Sequence, residues 1–237
     1  MEPMFSFSMD ALVRRARDQE HVASNLANMN TPGFKATHPF FDALEEAVAT
    51  ASSRESTYGD RNKSYIDFGQ GALRKTDQAL DVALNGDGFF VVESPEGETY
   101  TRAGNFRLNS EGEIVTAEGF KVMGEGGPIA IEGGEVVIDK TGLIQVDGEE
   151  VGKFQIAQFR DTSVLRPVGA ARFRNTGEEG PGTAEGVEVN QGSLEDPNVK
   201  GKIELITMVH QMSLFESSQR AIKMQNEALR RVANDLF

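Results

Sequence analysis

The sequence predicts an α+β protein, mainly β, with a helix at each end and an antiparallel β domain between them. Three observations predict it. Of the 25 glycines in the 237 residues, 23 lie between Gly59 and Gly192. Charge divides the same way. Residues 36–199 hold 14 basic and 29 acidic residues, a net of −15, and both ends are close to neutral. Apolar residues recur every three or four positions at the ends and fall in short runs between glycine turns in the middle.

At the N-terminus, Phe5, Met9, Leu12, Ala16, Gln19, Ala23 and Leu26 are spaced alternately four and three apart. This is the seven-residue repeat of a coiled-coil seam. The run stops at Asn28, Asn30, Thr31, Pro32 and Gly33. Asn tolerates the left-handed conformation that ends helices, and Pro cannot continue one. Pro32-Gly33 suits the central positions of a type II turn. Residues 37–78 read as a linker, with a short helix over Phe40–Ala51, a flexible polar loop over 52–64 and extended chain after Tyr65.

Residues 79–195 read as the β domain. Strands are expected at Leu80–Leu84, Phe89–Glu93, Thr99–Arg102, Phe106–Asn109, Glu113–Ala117, Phe120–Met123, Pro128–Ile131, Val136–Ile138, Leu143–Val146 and Phe154–Arg160. Turn pairs such as Asn85-Gly86, Glu118-Gly119 and Asp147-Gly148 separate them, as in a meander. Residues 175–186 read as a loop. Over 196–237 a second helix is expected. Leu205, Met208, Met212, Phe215, Gln219, Ile222, Asn226, Leu229, Ala233 and Leu236 form its heptad seam.

Composition narrows the function. A formal charge of −13 opposes binding to a phosphate backbone, so no nucleic-acid partner is expected. With no cysteine there is no disulfide, thiolate nucleophile or Cys-ligated zinc, and the three histidines are far apart. No apolar run reaches the ~18 residues of a membrane span, and the N-terminus lacks the plan of a cleaved secretory signal. Catalytic motifs fail on inspection. Asn85-Gly86-Asp87-Gly88 lacks the third glycine of a dinucleotide loop, and Lys140-Thr141-Gly142 has no S-x-x-K partner. Neither an enzyme nor a cofactor is expected.

A helix with a narrow apolar stripe is marginal alone and needs a partner. The other terminal helix is one candidate. Their pairing would leave Val22, Ile206 and Val209 exposed, so neighbouring chains are another. A heterologous contact repeated without closure builds a helical filament. Asn25, Asn28 and Asn30 are read either as helix-end caps or as amides pairing between subunits. Thr31 and Gly33 shape the turn, and Phe34 is expected to anchor it on a neighbouring chain.

Four strings carry a family resemblance. ASNLANMNTPGFKA (Ala23–Ala36) resembles the N-terminal signature of the flagellar rod and hook proteins. LDVALNGDGFFVV (Leu80–Val92) and YTRAGNFRLNSEGEIVTAEGFKVMGEGGPI (Tyr100–Ile129) are similar to the family's centre. VNQGSLEDPNVKGKIELITMVHQMSLFE (Val189–Glu216) resembles its C-terminal part. The short length and the Glu125–Ile129 string are most similar to the proximal rod member. The resemblance implies an axial layer of terminal helices (1–36 and 196–237), a linker and an outer β domain. It implies export by the flagellar type III apparatus without a cleaved signal. It also implies polymerisation in the periplasm with copies of itself and other rod proteins. The assembly residues would be Leu12, Ala16, Ala23, Asn25, Leu26, Asn28, Asn30, Thr31, Gly33 and Phe34, with Leu205, Met208, Met212, Phe215, Gln219, Ile222, Asn226 and Leu229. A distal rod or hook-type member is the alternative within the family. A secreted β-domain enzyme or glycan-binding module is the alternative outside it.

Overall fold

A computed structural model describes residues 2–39, 64–184 and 186–235. The helix expected over Phe40–Ala51 and most of the polar loop over 52–64 lie outside the described residues. The protein is mainly β, with two helices and antiparallel strand pairing throughout the described residues. The chain divides into two compact units. One holds Met1–Ala27, Thr37–Ile66 and Val199–Phe237, and the other holds Asn28–Ala36 and Asp67–Asn198.

The helical unit contains α1 (Glu2–Ala27) and α2 (Gly201–Asp235). Helix α1 ends where the Asn and Pro-Gly signals place the stop. The short strands β1 (Thr37–Pro39) and β2 (Ser64–Ile66) pair antiparallel, with Thr37 opposite Ile66. The two helices are antiparallel: Arg15 contacts Leu214 and Ser218, and Asn25, further along α1, contacts Glu204 near the start of α2.

The face α2 turns inward differs from the predicted seam by half. Met208, Phe215 and Ile222 are half-buried, but Leu205, Met212 and Gln219 are exposed. Their places are taken by Glu204, Gln211 and Ser218, one residue earlier in each turn. The reason is polar pairing: Glu204 and Ser218 accept hydrogen bonds from α1, and this rotates an apolar column outward. Val22, expected to be exposed, is buried, whereas Ile206 and Val209 are open to solvent.

The β unit opens with β3 (Leu73–Lys75) and β4 (Val82–Asn85). A hairpin follows, β5 (Phe89–Ser94) and β6 (Gly97–Thr101), then β7 (Arg107–Leu108), β8 (Ile114–Val115), β9 (Lys121–Gly124) and β10 (Gly127–Pro128). Next come β11 (Val136–Ile138), β12 (Leu143–Val146), β13 (Glu149–Lys153) and β14 (Ile156–Gln158). The unit closes with β15 (Leu165–Pro167), β16 (Arg172–Asn175), β17 (Gly182–Thr183), β18 (Glu188–Gln191) and β19 (Ser193–Glu195).

The main sheet runs β15-β16-β6-β5-β9-β8-β7, with β14 also on β5. It is not a simple meander, because β16 comes back from late in the chain to pair with β6. Strand β18 pairs with β4, and β19 with β3. The expected linker 37–78 is therefore split. Its described residues 37–39 and 64–66 pair as β1 and β2 in the helical unit, and 67–78 supplies β3 to the β unit. The expected loop at 175–186 contains β17, held on β14.

The core is built on alternation. Phe90 and Val122 meet Val82, Leu84, Phe106, Ile114, Ile144 and Phe154 in one buried cluster. The Phe90 ring meets Phe106 and Phe154 edge-on, at 5.0 and 5.4 Å between centroids. Phe89, one residue earlier on β5, points to the opposite face and meets Phe68 and Phe173. The turn at Asp147-Gly148 has positive φ at both residues, 50° and 88°, as a two-residue type I′ hairpin requires.

Candidate assembly surface and its buried polar supports

In the helical unit the buried amide of Asn25 is satisfied on three sides. Its Nδ2 donates to the Thr37 carbonyl at 3.0 Å and to Glu204 Oε1 at 3.1 Å. Its Oδ1 accepts from the Thr37 amide at 2.9 Å. Both polar atoms of the Asn25 side chain thus bond within its own chain. Glu204 sits in the first turn of α2, where an acidic side chain favours the helix's positive end. Arg15 Nη1 donates to the Leu214 carbonyl at 2.6 Å and to the Ser218 hydroxyl.

Asn28 makes a local cap at the end of α1. Its Oδ1 accepts from the Thr31 hydroxyl and its carbonyl from the Thr31 amide. The Phe34 amide then closes a turn onto the Thr31 carbonyl at 3.2 Å, with Pro32 and Gly33 in the centre. Gly33 has φ 67°, and a Cβ there would lie 2.3 Å from the backbone of Arg102 and Ala103. Only glycine fits that turn against that strand end. Phe34 is buried in its own chain and has no face free to anchor on a neighbour. Asn30 is exposed.

The next residue was missed by sequence reasoning. Lys35 is buried, with Nζ 2.7 Å from Glu195 Oε1 and 2.8 Å from the Gly69 carbonyl. Arg102 approaches the other carboxylate oxygen at 3.4 Å and donates to the Gly86 carbonyl at 2.7 Å. The guanidinium carbon also lies 5.1 Å from the centre of the Phe89 ring. Glu195 further accepts from the Gly71 amide at its side chain and from the Gly33 amide at its carbonyl, both at 2.8 Å. Burial pushes the Lys35 ammonium below its ordinary pKa, and the Glu195 carboxylate opposes the shift. The same two causes act on Arg102, again with burial the larger. The cluster is two cations on one anion; the Gly69 and Gly86 carbonyls take one further bond from each cation, and Arg102 Nε is buried with no hydrogen-bond partner.

Three of the four strings quoted above converge on this cluster: Gly33 and Lys35 from the first, Arg102 from the third, Glu195 from the last. The signal was present in those strings, but nothing in sequence spacing links residues so far apart.

On α2 the predicted assembly residues separate into two sets. Met208, Phe215 and Ile222 are half-buried against the chain's own fold. Leu205 and Met212 are 50% and 47% exposed, and they stand beside Ile206 at 71% and Val209 at 69%. On α1, Ala16 is exposed, and Ala23 and Leu26 are half-buried. Leu12, Asn226 and Leu229 lie on the helices, but their side chains are outside the described set. Among the described residues no group of three His, Cys, Asp or Glu is placed to hold a metal ion. No described helix is long and apolar enough to cross a membrane.

Comparison with known proteins finds the same parts in the same places. Residues 5–35 match a family model described as flagella basal body rod protein. Residues 83–146 match one described as flagellar hook protein FlgE/F/G D1 domain. The chain is 32% identical to flagellar basal-body rod protein FlgG of Caulobacter vibrioides, over 89% of this chain and 90% of that one. It is 31% identical to flagellar basal-body rod protein FlgF of the same organism, over 85% and 84%. Against FlgG of Bacillus subtilis the identity is 30%, over 90% and 91%.

Proposed function

The chain belongs to the family of flagellar basal-body rod proteins, and from that premise we propose that it is a rod subunit that polymerises through its terminal helices. The observation that carries the proposal is the outward apolar column of α2: Leu205, Ile206, Val209 and Met212. Each such side chain is worth ~1.5–3 kcal/mol when fully buried, so the four together favour contact with a neighbouring chain. A contiguous exposed apolar face marks an interaction surface.

In this reading the partners are further copies of the chain and other rod proteins, and the work is mechanical rather than catalytic. The helices form the axial layer and the acidic β unit faces outward, where its charge keeps the surface solvated. The chain leaves the cytoplasm through the flagellar type III apparatus and assembles in the periplasmic part of the basal body. Its length and the Glu125–Ile129 string favour the proximal rod position. The distal position is the second reading, favoured by the near-equal identity to FlgG and FlgF relatives.

The test is a double substitution, Ile206→Asp with Val209→Asp, in a flagellated cell that depends on this chain for its rod. Both side chains are exposed in the single chain, so the isolated variant should keep the wild-type circular dichroism. Rods and swimming should be lost. A variant that builds rods normally contradicts the proposal.

A further inference from the structure

The chain passes between the two units at four places, and three of them meet on one side chain. Ala36, Asp67 and Asn198 are the β unit's terminal residues at three of these crossings. Asn198 Oδ1 accepts from the Ala36 amide at 2.8 Å. Asn198 Nδ2 donates to the Asp67 carbonyl at 2.8 Å and to the Gly69 carbonyl at 3.2 Å. The Asp67 amide donates to the Ala36 carbonyl at 2.8 Å, closing the ring.

This ring shares its members with the buried cluster. Lys35 stands next to Ala36 and bonds to the Gly69 carbonyl, which also accepts from Asn198. Glu195, three residues before Asn198, takes Lys35 on one carboxylate oxygen and Arg102 on the other. Glu195 also holds the Gly33 and Gly71 amides. The Gly71 position is closed to any side chain, since a Cβ would fall 1.8 Å from the Asp196 carbonyl oxygen. The residues at which the chain leaves the β unit are therefore tied into one network of polar contacts, buried at Lys35, Arg102 and Glu195 and part-buried at Asn198.

We propose that Lys35, Arg102, Glu195 and Asn198 form a single cooperative clamp that fixes the exits of the chain from the β unit and opens as one piece. A low-dielectric polar network of this kind stands or falls together, because each broken bond leaves a buried group unpaired. Its purpose rests on the rod reading. A subunit that passes torque through its chain crossings needs those crossings held at one place rather than each on its own hinge.

The test is amide hydrogen exchange on the isolated full-length chain and its Asn198→Ala variant. The Gly33, Ala36, Asp67 and Gly71 amides should exchange at least tenfold faster in the variant, and by the same factor. The Phe154 amide, bonded to the Gly142 carbonyl in the β core, should not change. If Asn198→Ala also loses the Phe154 protection, Asn198→Asp decides the matter, since it keeps the acceptor for Ala36 and loses only the donor. The same joint acceleration is expected from it. Acceleration confined to Ala36 and Asp67, with Gly33 and Gly71 unmoved, overturns the clamp. The isolated chain is measured, so that failure leaves the rod reading untouched, and lost assembly elsewhere leaves the clamp untouched.

Discussion

At Glu195 the charge arithmetic decides the energetics. Lys35 and Arg102 share one carboxylate, and all three side chains are at least 97% buried. Removing the anion leaves two uncompensated buried cations, whereas removing Lys35 leaves a balanced pair. Breaking a buried pair costs about 3–5 kcal/mol. Glu195→Gln should therefore destabilise the β unit by about that amount, and Lys35→Met by clearly less, in urea unfolding followed by circular dichroism. Lys35 adds a pH signature. Its folded pKa lies below the ordinary value of 10.5, so between those two values the unfolded chain holds the proton more tightly. The unfolded state then binds more protons, and stability rises with pH across that window. The wild type should gain stability relative to Lys35→Met as pH rises toward 10.5. Parallel pH profiles for the two proteins contradict the assignment.

At the scale of elements, Asn25 joins three pieces of chain: α1, β1 and α2. Asn25→Ala leaves Glu204 and the Thr37 amide short of partners, at about 1–3 kcal/mol for each buried group. Far-UV circular dichroism should show reduced helix with the β signal kept. A variant with undiminished helix content shows that the α1–α2 contact does not depend on this amide.

Both helices were legible in the sequence because their periodicity and stop signals are local. The strands β5, β9, β11 and β12 were legible for a similar reason, each an apolar run closed by a glycine turn. Strands such as β3 (Leu-Arg-Lys), β16 (Arg-Phe-Arg-Asn) and β18 (Glu-Val-Asn-Gln) were not. They are short and polar, and long-range pairing to β19, β6 and β4 makes them strands. The face of α2 was half legible. Periodicity gives the column of Met208, Phe215 and Ile222, but not which flanking column turns inward, because Asn25 and Arg15 decide that from another helix. The buried cluster was not legible at all, since a lysine, an arginine and a glutamate read as surface residues until the fold brings them together.

At the scale of the whole molecule, the β unit has a buried core of its own, and the helical unit carries an exposed apolar column on α2. In the proposed reading the first keeps its fold alone and the second is completed by neighbours. The absence of cysteine makes this testable with single probes. The most direct measurement places one cysteine at Ile206 and, separately, one at Glu178 in the exposed 177–180 loop, and labels each with a maleimide in the isolated chain and in purified basal bodies. Both should react freely in the isolated chain. In basal bodies the probe at 206 should be shielded at least tenfold while the probe at 178 stays reactive. Equal reactivity at 206 in the free and assembled states would contradict the claim that this face of α2 builds the rod.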